Sequence, residues 1–430
     1  MKRVLCTAAL LIGLGVWSFA QGEDPDSMFE EPVMKEAQPA ATPETAPEQA
    51  LLISPKVEWG GTFKTETLAE WGWDGYPRTT DTLGAESAVL EAQIAADLFF
   101  DARPAADFRV FGKGKASYDY RPATGTFTWD TRIFELFSDF NWTDRLFFRV
   151  GKHTIRWGVG YFFSPADVLN LVPIDPADPT ADRDGPVSLK THVPFGQNNA
   201  YLYLVANDIR RPDELAVAPK LELVLGGWEL GLGGFYQKDL APKAMLTLTG
   251  PLAKLDLFGE AVLQYGSDRA YIRAGAPYEI YTIDEEPVFS ATIGARYLGA
   301  DRKLAFSAQY FFNGTGYESF SPTLAAVAAL AVTAGDLKAA DLLSRGRHYL
   351  AASASWSEMG GSDFGLALLY LANLEDSSGI VQPSVSWTPV DYAALRLRLG
   401  LPYGEAGDEF TPAGTKPSVS LQVIFGNGRF

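Results

Sequence analysis

Phe108-Arg109-Val110-Phe111-Gly112-Lys113-Gly114-Lys115-Ala116-Ser117-Tyr118-Asp119-Tyr120-Arg121 is the stretch whose pattern decides the fold. Phe108, Val110, Gly112, Gly114, Ala116, Tyr118 and Tyr120 share one parity. Arg109, Phe111, Lys113, Lys115, Ser117, Asp119 and Arg121 share the other. Side chains along a strand alternate between faces, so the segment has one apolar side and one largely charged side. The period returns upstream in Leu90, Ala92, Ile94, Ala96, Leu98 and Phe100 against Glu91, Gln93, Asp97 and Asp101. It returns near the end in Val419, Leu421, Val423 and Phe425 against Ser418, Ser420 and Gln422. A water-soluble sandwich alternates in the same way. Two features favour a barrel that crosses a membrane. The segments reach about 9–11 residues or more, the length of a tilted spanning strand. Trp71, Trp73, Trp142, Trp228, Trp356 and Trp387 stand near segment ends, where aromatic girdles meet the membrane interface.

Working outward, the chain opens with Lys2 and Arg3, an apolar run from Val4 to Phe19, and a small residue, Ala20. Residues 1–20 read as an export signal, shorter than the roughly 20 apolar residues of a spanning helix. Cys6 is the one cysteine and lies inside the signal, so the exported chain carries no thiol or disulfide chemistry. Residues 21–54 read as a disordered periplasmic tail. Gln21 to Ala50 sets eight acidic side chains against Lys35 alone, in a Pro- and Ala-rich context that cannot bury enough apolar surface to order itself. Residues 55–430 are assigned to the barrel. With 36 basic and 53 acidic residues, the chain has no positive footprint for nucleic acid. The chain closes on an alternating segment that ends in Phe430, interrupted by Asn427-Gly428-Arg429. This ending resembles the last strand by which outer-membrane barrels are handed to their assembly machinery.

Strand counting gives an internal test. Leaving residues 158–196 as one loop yields seventeen strands, and the short turns then change sides halfway along the chain. Splitting at Pro186 makes Val187–Val193 a strand and Pro194–Gln197 a turn. The short turns Ala102–Ala106, Thr143-Asp144, Pro194–Gln197, Gly226-Gly227, Gly250–Ala253, Gly299–Arg302, Met359–Ser362 and Thr388–Asp391 then lie on one side. The longer connections lie on the other, as in a barrel with short periplasmic turns and long extracellular loops. The expected fold is therefore an all-β transmembrane antiparallel barrel of about 18 strands, with 16 as the alternative.

Three outer loops stand out: Gly158–Gly185, Ser267–Pro287 and Asn313–Arg345. The last carries the Ala- and Leu-rich run Thr323–Leu343 behind Ser321-Pro322. This reads as two short helical pieces with a Ser or Thr cap, broken at Gly335. At the first loop, Gly151-Lys152-His153-Thr154-Ile155-Arg156-Trp157-Gly158 is followed by Ser164-Pro165-Ala166-Asp167-Val168-Leu169-Asn170. This stretch resembles a signature of alginate-exporter-like large porins through Gly151, Trp157, Gly158, Pro165, Asp167 and Asn170. The resemblance covers about twenty residues. It implies an 18-stranded channel and transfers no substrate.

The strand parity places Glu58, Lys64, Glu66 and Glu70 on the inner face, then Glu91, Asp97 and Asp101, then Arg109, Lys113, Lys115, Asp119 and Arg121, then Glu135 and Asp139, then Arg149. Lys152 and Arg156 are out of phase unless a bulge intervenes. Two readings stay open: the charges pair across strands, or the basic row faces Asp167, Asp175, Asp178, Asp182 and Asp184 of an inward-folded loop and sets a transverse field. The aspartates lack the spacing of an EF-hand calcium loop, and no metal or cofactor is expected. His153, His192 and His348 fall in no catalytic motif, so no enzyme is expected. Arg396 and Arg398, beside the last strand, read as solvated wall. The function expected is diffusion of small polar or charged solutes through a channel in outer-membrane lipid, narrowed by the loop at 158–185. The alternatives are a transporter of apolar molecules, with capture by Tyr161-Phe162-Phe163 and the Ala/Leu run, and a surface adhesin. Trimers are common among such barrels, but the apolar outer face carries no oligomer signal. N-terminal sequencing of the membrane-extracted protein is expected to begin at Gln21; a chain still starting at Met1 would overturn the signal assignment.

Overall fold

A computed structural model describes residues 56–72, 88–105, 107–143, 145–207, 209–275, 277–301, 303–412 and 415–429. The export signal at 1–20, the tail at 21–54, Trp73 and Phe430 lie outside the described residues. Among the described residues twenty strands are formed: β1 (Lys56–Gly72), β2 (Ala88–Ala105), β3 (Phe108–Arg121), β4 (Thr126–Trp142), β5 (Leu146–Lys152), β6 (Val187–Phe195), β7 (Asn198–Val205), β8 (Ala216–Leu225), β9 (Trp228–Phe235), β10 (Lys243–Leu252), β11 (Leu255–Tyr265), β12 (Tyr271–Arg273), β13 (Glu279–Tyr281), β14 (Pro287–Leu298), β15 (Leu304–Phe312), β16 (His348–Trp356), β17 (Phe364–Asn373), β18 (Ser378–Val390), β19 (Ala393–Tyr403) and β20 (Ser418–Arg429). β12 and β13 form a small separate hairpin. The other strands make one 18-stranded antiparallel sheet. Each pairs with its neighbour in sequence, and β1 pairs with β20, so the sheet closes on itself without a free edge.

The short connections at 106–107, 143–145, 196–197, 226–227, 253–254, 299–303, 357–363 and 391–392 share one end of the barrel. The other end carries the excursions at 153–186, 266–286, 313–347 and 404–417, together with the tight hairpins at 122–125 and 374–377. Glycines at positive φ make two of the short turns, Gly196 (φ 63) and Gly226-Gly227 (φ 60 and 88), where a β-carbon would be strained. The large outer connections fold on one another. The helix α1 (Pro322–Ala334) is capped by Ser321, which accepts from Leu324 N–H, and it ends at Gly335 in the left-handed conformation. Ala328 and Ala331 of α1 pack in a cluster with Tyr271, Ile272, Tyr317 and Leu337, which seats the helix on the β12–β13 hairpin. The sequence offered no sign of that hairpin, which is only three residues per strand.

Two bulges reconcile the ring with the sequence. Between β3 and β4 the register shifts at Lys113/Gly114, leaving Phe134 as the extra residue, only 5% exposed. The parity of β4 flips there, so Phe127, Trp129 and Ile133 before it and Leu136, Phe140 and Trp142 after it are all exposed on the outer wall. At the seam, β20 runs through the expected interruption. Gly426 takes φ 88, and a register shift at Thr62/Phe63 sets Asn427 opposite Phe63 and Arg429 opposite Thr62. The broken alternation marks a bulge and not the end of the strand. β5, in contrast, stops six residues before Gly158. Gly151 takes φ 131, and the chain leaves the wall at His153.

Apolar side chains are exposed around the whole outer wall, among them Trp59 (73%), Leu98, Trp129, Leu202, Leu246, Ile293 (66%), Leu368, Val385 and Phe425. So continuous a band far exceeds the few hundred Å² that a water-soluble protein leaves exposed, and it matches contact with hydrocarbon. Trp59 and Trp71 have the same parity on β1. Their spacing corresponds to about 40 Å along the strand and about 30 Å along the barrel axis at the usual tilt. Gly151→Val would drive a side chain into the carbonyl of Leu136 and force an L residue to φ 131. The expected outcome is a sharp fall in the heat-modifiable folded band on unboiled gels, while Gly125→Ala in the open outer hairpin leaves that band in place.

Candidate functional site

Eighteen strands at ordinary spacing and tilt enclose a lumen about 35 Å across between backbones, too wide for wall side chains to fill. The excursion at 153–186 occupies it. Ile155, Trp157, Ala166 and Leu169 pack against Tyr203, Val205, Ala216, Ala218, Phe235, Met245 and Val262 of β7 to β11. Phe162 and Phe163 pack against Phe311, Tyr349, Ala351, Leu369, Leu371 and Ile380 of β15 to β18. The loop therefore lines the inner wall over more than half the ring.

Buried polar side chains of the wall hold its backbone. Glu260 on β11, 4% exposed, accepts from Val159 N–H, Gly160 N–H, Ala166 N–H (2.9 Å) and the Ser164 hydroxyl (2.9 Å). Gln309 on β15 accepts from Tyr161 N–H (3.1 Å) and Phe162 N–H (2.7 Å) and donates to the Phe163 carbonyl. Lys220 on β8 donates to the Trp157 carbonyl at 3.0 Å. These loop groups thus find partners as they leave water, which is the condition for burying irregular backbone. Burial pushes the Tyr161 hydroxyl up to about 12, against the opposing pull of Arg296. The sequence reading missed Glu260, Gln309 and Lys220. Their parity marked them as inner-face residues, but their partners lie 63 to 148 residues away.

The six signature residues build the loop. Gly151 turns the chain off the wall. Trp157, 1% exposed, sits over Gly233, where any β-carbon would strike its ring at 2.7 Å. Gly158 lies so close to Ser164 and Glu260 that no side chain fits. Pro165 lies between two of the groups held by Glu260, Ser164 and Ala166. Asp167 is ion-paired with Arg183 and accepts from Asn170 at 2.6 Å. Burial raises the Asp167 carboxyl, and Arg183 and Asn170 pull it back down. Asn170 accepts from Ile155 N–H (3.0 Å) and donates to the Ile155 carbonyl (2.7 Å), clamping the outgoing and returning arms together.

The remaining charged residues singled out from the sequence are mostly paired. Arg109 reaches Asp101 at 2.9 Å and Asp139 at 3.3 Å, and Arg149 reaches the same Asp139 at 2.7 Å while lying 3.8 Å over the Phe137 ring. Lys113 binds Asp182 at 2.7 Å, and Lys152 binds Asp184 at 2.9 Å. These two wall lysines therefore touch loop aspartates directly instead of facing them across open water. Lys152 reaches the loop because it is the last residue of β5. Asp97 accepts from Thr62 at 3.3 Å and stands opposite Lys115 in register. Glu135 accepts from Thr154 N–H at 3.3 Å. Glu91 and Arg121 pair at 2.6 Å, next to the hairpin at 122–125. Asp175 and Asp178 pair through their backbones at the loop tip, where burial raises the Asp175 carboxyl. Arg396 is buried and donates to Gln422 at 3.1 Å, so it is not solvated wall. Among the described residues no three His, Cys, Asp or Glu side chains converge as a metal site. His153 contacts the Gly151 carbonyl, His192 contacts Asn199, and His348 contacts Tyr310; none of these contacts is to a serine hydroxyl or a carboxylate.

No protein-family model matches the sequence, and no curated protein matches it. Among solved structures, Acinetobacter baumannii OccAB3 aligns over 87% of this chain and 100% of its own, at 9% identity and a TM-score of 0.47. Pseudomonas aeruginosa OccK2, solved in complex with glucuronate, aligns over 86% and 97%, at 12% identity and a TM-score of 0.46. Salmonella typhi OmpF, solved with daunomycin, aligns over 87% and 98%, at 9% identity and a TM-score of 0.43. A likeness at this level identifies no substrate.

Glu260→Ala would strip the acceptor from three loop amides and one hydroxyl, at about 1–3 kcal/mol for each donor left buried without a partner. Tryptic cleavage after Arg156 and Arg183, mapped by mass spectrometry on the folded barrel, is expected to rise in Glu260→Ala. Equal resistance in variant and wild type would show that Glu260 is not the latch.

Proposed function

We propose that the chain is an outer-membrane channel through which small polar or charged solutes diffuse, with residues 153–186 as its constriction. One observation carries this reading: a closed 18-stranded barrel with an apolar outer band holds a long loop against its inner wall by buried hydrogen bonds. A closed barrel is one of the two architectures that satisfy every backbone group in hydrocarbon. A charged inner wall suits water and ions. The inward loop narrows a lumen that would otherwise pass solutes indiscriminately.

Arg109, Lys113, Lys115, Arg121, Glu91, Asp97, Glu135, Asp139 and Arg149 of the wall, with Asp167, Asp175, Asp178, Asp182 and Asp184 of the loop, are the residues assigned to the pore lining and constriction. The Arg109–Asp139–Arg149 row supplies fixed charges of both signs along one side. Exposed and half-exposed pairs of this kind contribute about 0–1 kcal/mol each to stability, so their main effect is on the field in the lumen. Kinship with alginate-exporter-like porins rests on the signature residues alone, and those residues shape the loop. Tyr161-Phe162-Phe163 gives no support to a hydrophobic capture site, because Phe162 and Phe163 are buried against the wall.

Single-channel recording of the refolded mature protein in planar bilayers tests the proposal. Steady conductance in KCl that increases severalfold on deletion of 158–185 is the expected result. A folded barrel that conducts in neither form would sink it.

A further inference from the structure

The three arms of the inserted loop lie side by side. Asn170 clamps Ile155 through both of its side-chain atoms, Thr154 donates to the Arg183 carbonyl at 3.0 Å, and Leu171 N–H donates to the Asp184 carbonyl at 3.0 Å. The Ile155 and Trp157 side chains enter the wall cluster, so Arg156 between them points away from it, and Arg156 is exposed. Leu171 and Val172, which follow the Asn170 clamp, are 51% and 48% exposed. Exposed side chains of a loop inside a barrel face lumen water and not lipid. The Asn170 clamp thus sets the arm that carries the exposed Arg156 beside the arm that carries Leu171 and Val172.

The charge pattern singles out Arg156. Lys113 is held by Asp182, Lys152 by Asp184, Arg183 by Asp167 and Lys220 by Glu222, while Lys190 lies over the Tyr201 ring and Arg296 over the Tyr161 ring. Among the described residues Arg156 has no such partner within ion-pair distance. A planar guanidinium suits bidentate recognition of a carboxylate. An aliphatic patch left in water, beside an unpaired cation, is complementary to a solute with the same two parts.

We propose that Arg156, Leu171 and Val172 form a subsite for short-chain aliphatic carboxylates of roughly the length of hexanoate, the carboxylate on Arg156 and the chain on the aliphatic pair. This rests on the channel reading and names a solute class for it. The subsite discriminates by requiring both parts: acetate lacks the chain and hexanol lacks the charge.

Calorimetric titration of the mature barrel in lipid nanodiscs, free of competing detergent, tests this with hexanoate, acetate and hexanol. Hexanoate is expected to bind the wild type, with affinity falling at least tenfold in Arg156→Gln and in Leu171→Ser/Val172→Ser, and retained within a few-fold in Arg156→Lys. Acetate and hexanol are expected to bind at least tenfold more weakly. The heat-modifiable gel shift establishes that each variant is folded, and Arg156→Gln alters an exposed side chain outside the wall cluster. Absence of hexanoate binding to the wild type, equal affinity in the variants, or acetate binding as tight as hexanoate overturns the subsite. KCl conductance of the wild type is recorded separately. A silent barrel that still binds hexanoate would overturn the channel and leave the subsite standing.

Discussion

Backbone amides in hydrocarbon have no water to bond, and that constraint governs the rest of the molecule. The pairing of β1 with β20 meets it for the ring as a whole, since an open sheet would leave two rows of unpaired groups in lipid. Closure ties the outer surface to one chemistry and the inner surface to another. It also makes register matter, because a slip by one residue would turn apolar positions into the lumen and charges into lipid. The bulges at Phe134 and Gly426 show how the ring keeps to this rule where the sequence breaks strict alternation. Each absorbs one residue, and at Phe134 this returns the next apolar side chain, Leu136, to the outside.

Closure at eighteen strands creates a second demand. The lumen is wider than its own side chains can fill, so whatever narrows it must come from a connection and must satisfy its amides away from the sheet. The excursion at 153–186 does so by borrowing acceptors from the wall. Glu260 and Gln309 act as fixed stations along β11 and β15 to which successive amides dock. A carboxylate in this place gains from accepting several donors at once, since hydrogen bonds to charged groups are the stronger ones. The close approaches at Gly158 and Gly160 let the backbone reach those stations.

The fold was legible in the sequence because its information is local. Alternation in 108–121 and turn residues at regular spacing specify strands, and turn parity alone separates eighteen strands from seventeen. The inner-face charges were legible for the same reason. The docking of the loop was not. Glu260 looks like any other inward carboxylate, and its partners at 159–166 are about a hundred residues away. The loop's starting point was also misplaced by several residues, because His153-Thr154-Ile155-Arg156-Trp157 continues the alternating pattern of β5. In β5 the pattern faces lipid and water; beyond Gly151 it faces wall and lumen. The same period serves both, so periodicity could not mark the boundary, and only the positive φ of Gly151 does.

That shared periodicity explains why Arg156 escapes neutralisation. A strand residue on the inner face has registered neighbours on two sides, and in this barrel those neighbours are commonly of opposite charge, as with Arg109 and Arg149 around Asp139. Arg156 leaves the sheet before it acquires such neighbours. The clamp at Asn170 then gives it an apolar chain alongside where a strand would have offered a carboxylate. Each charge pair in the wall acts on a passing solute at short range, because the two fields largely cancel at a distance and salt screens the rest. A cation outside the ladder, fixed to a loop that narrows the lumen, is the point where a passing solute can replace a missing partner.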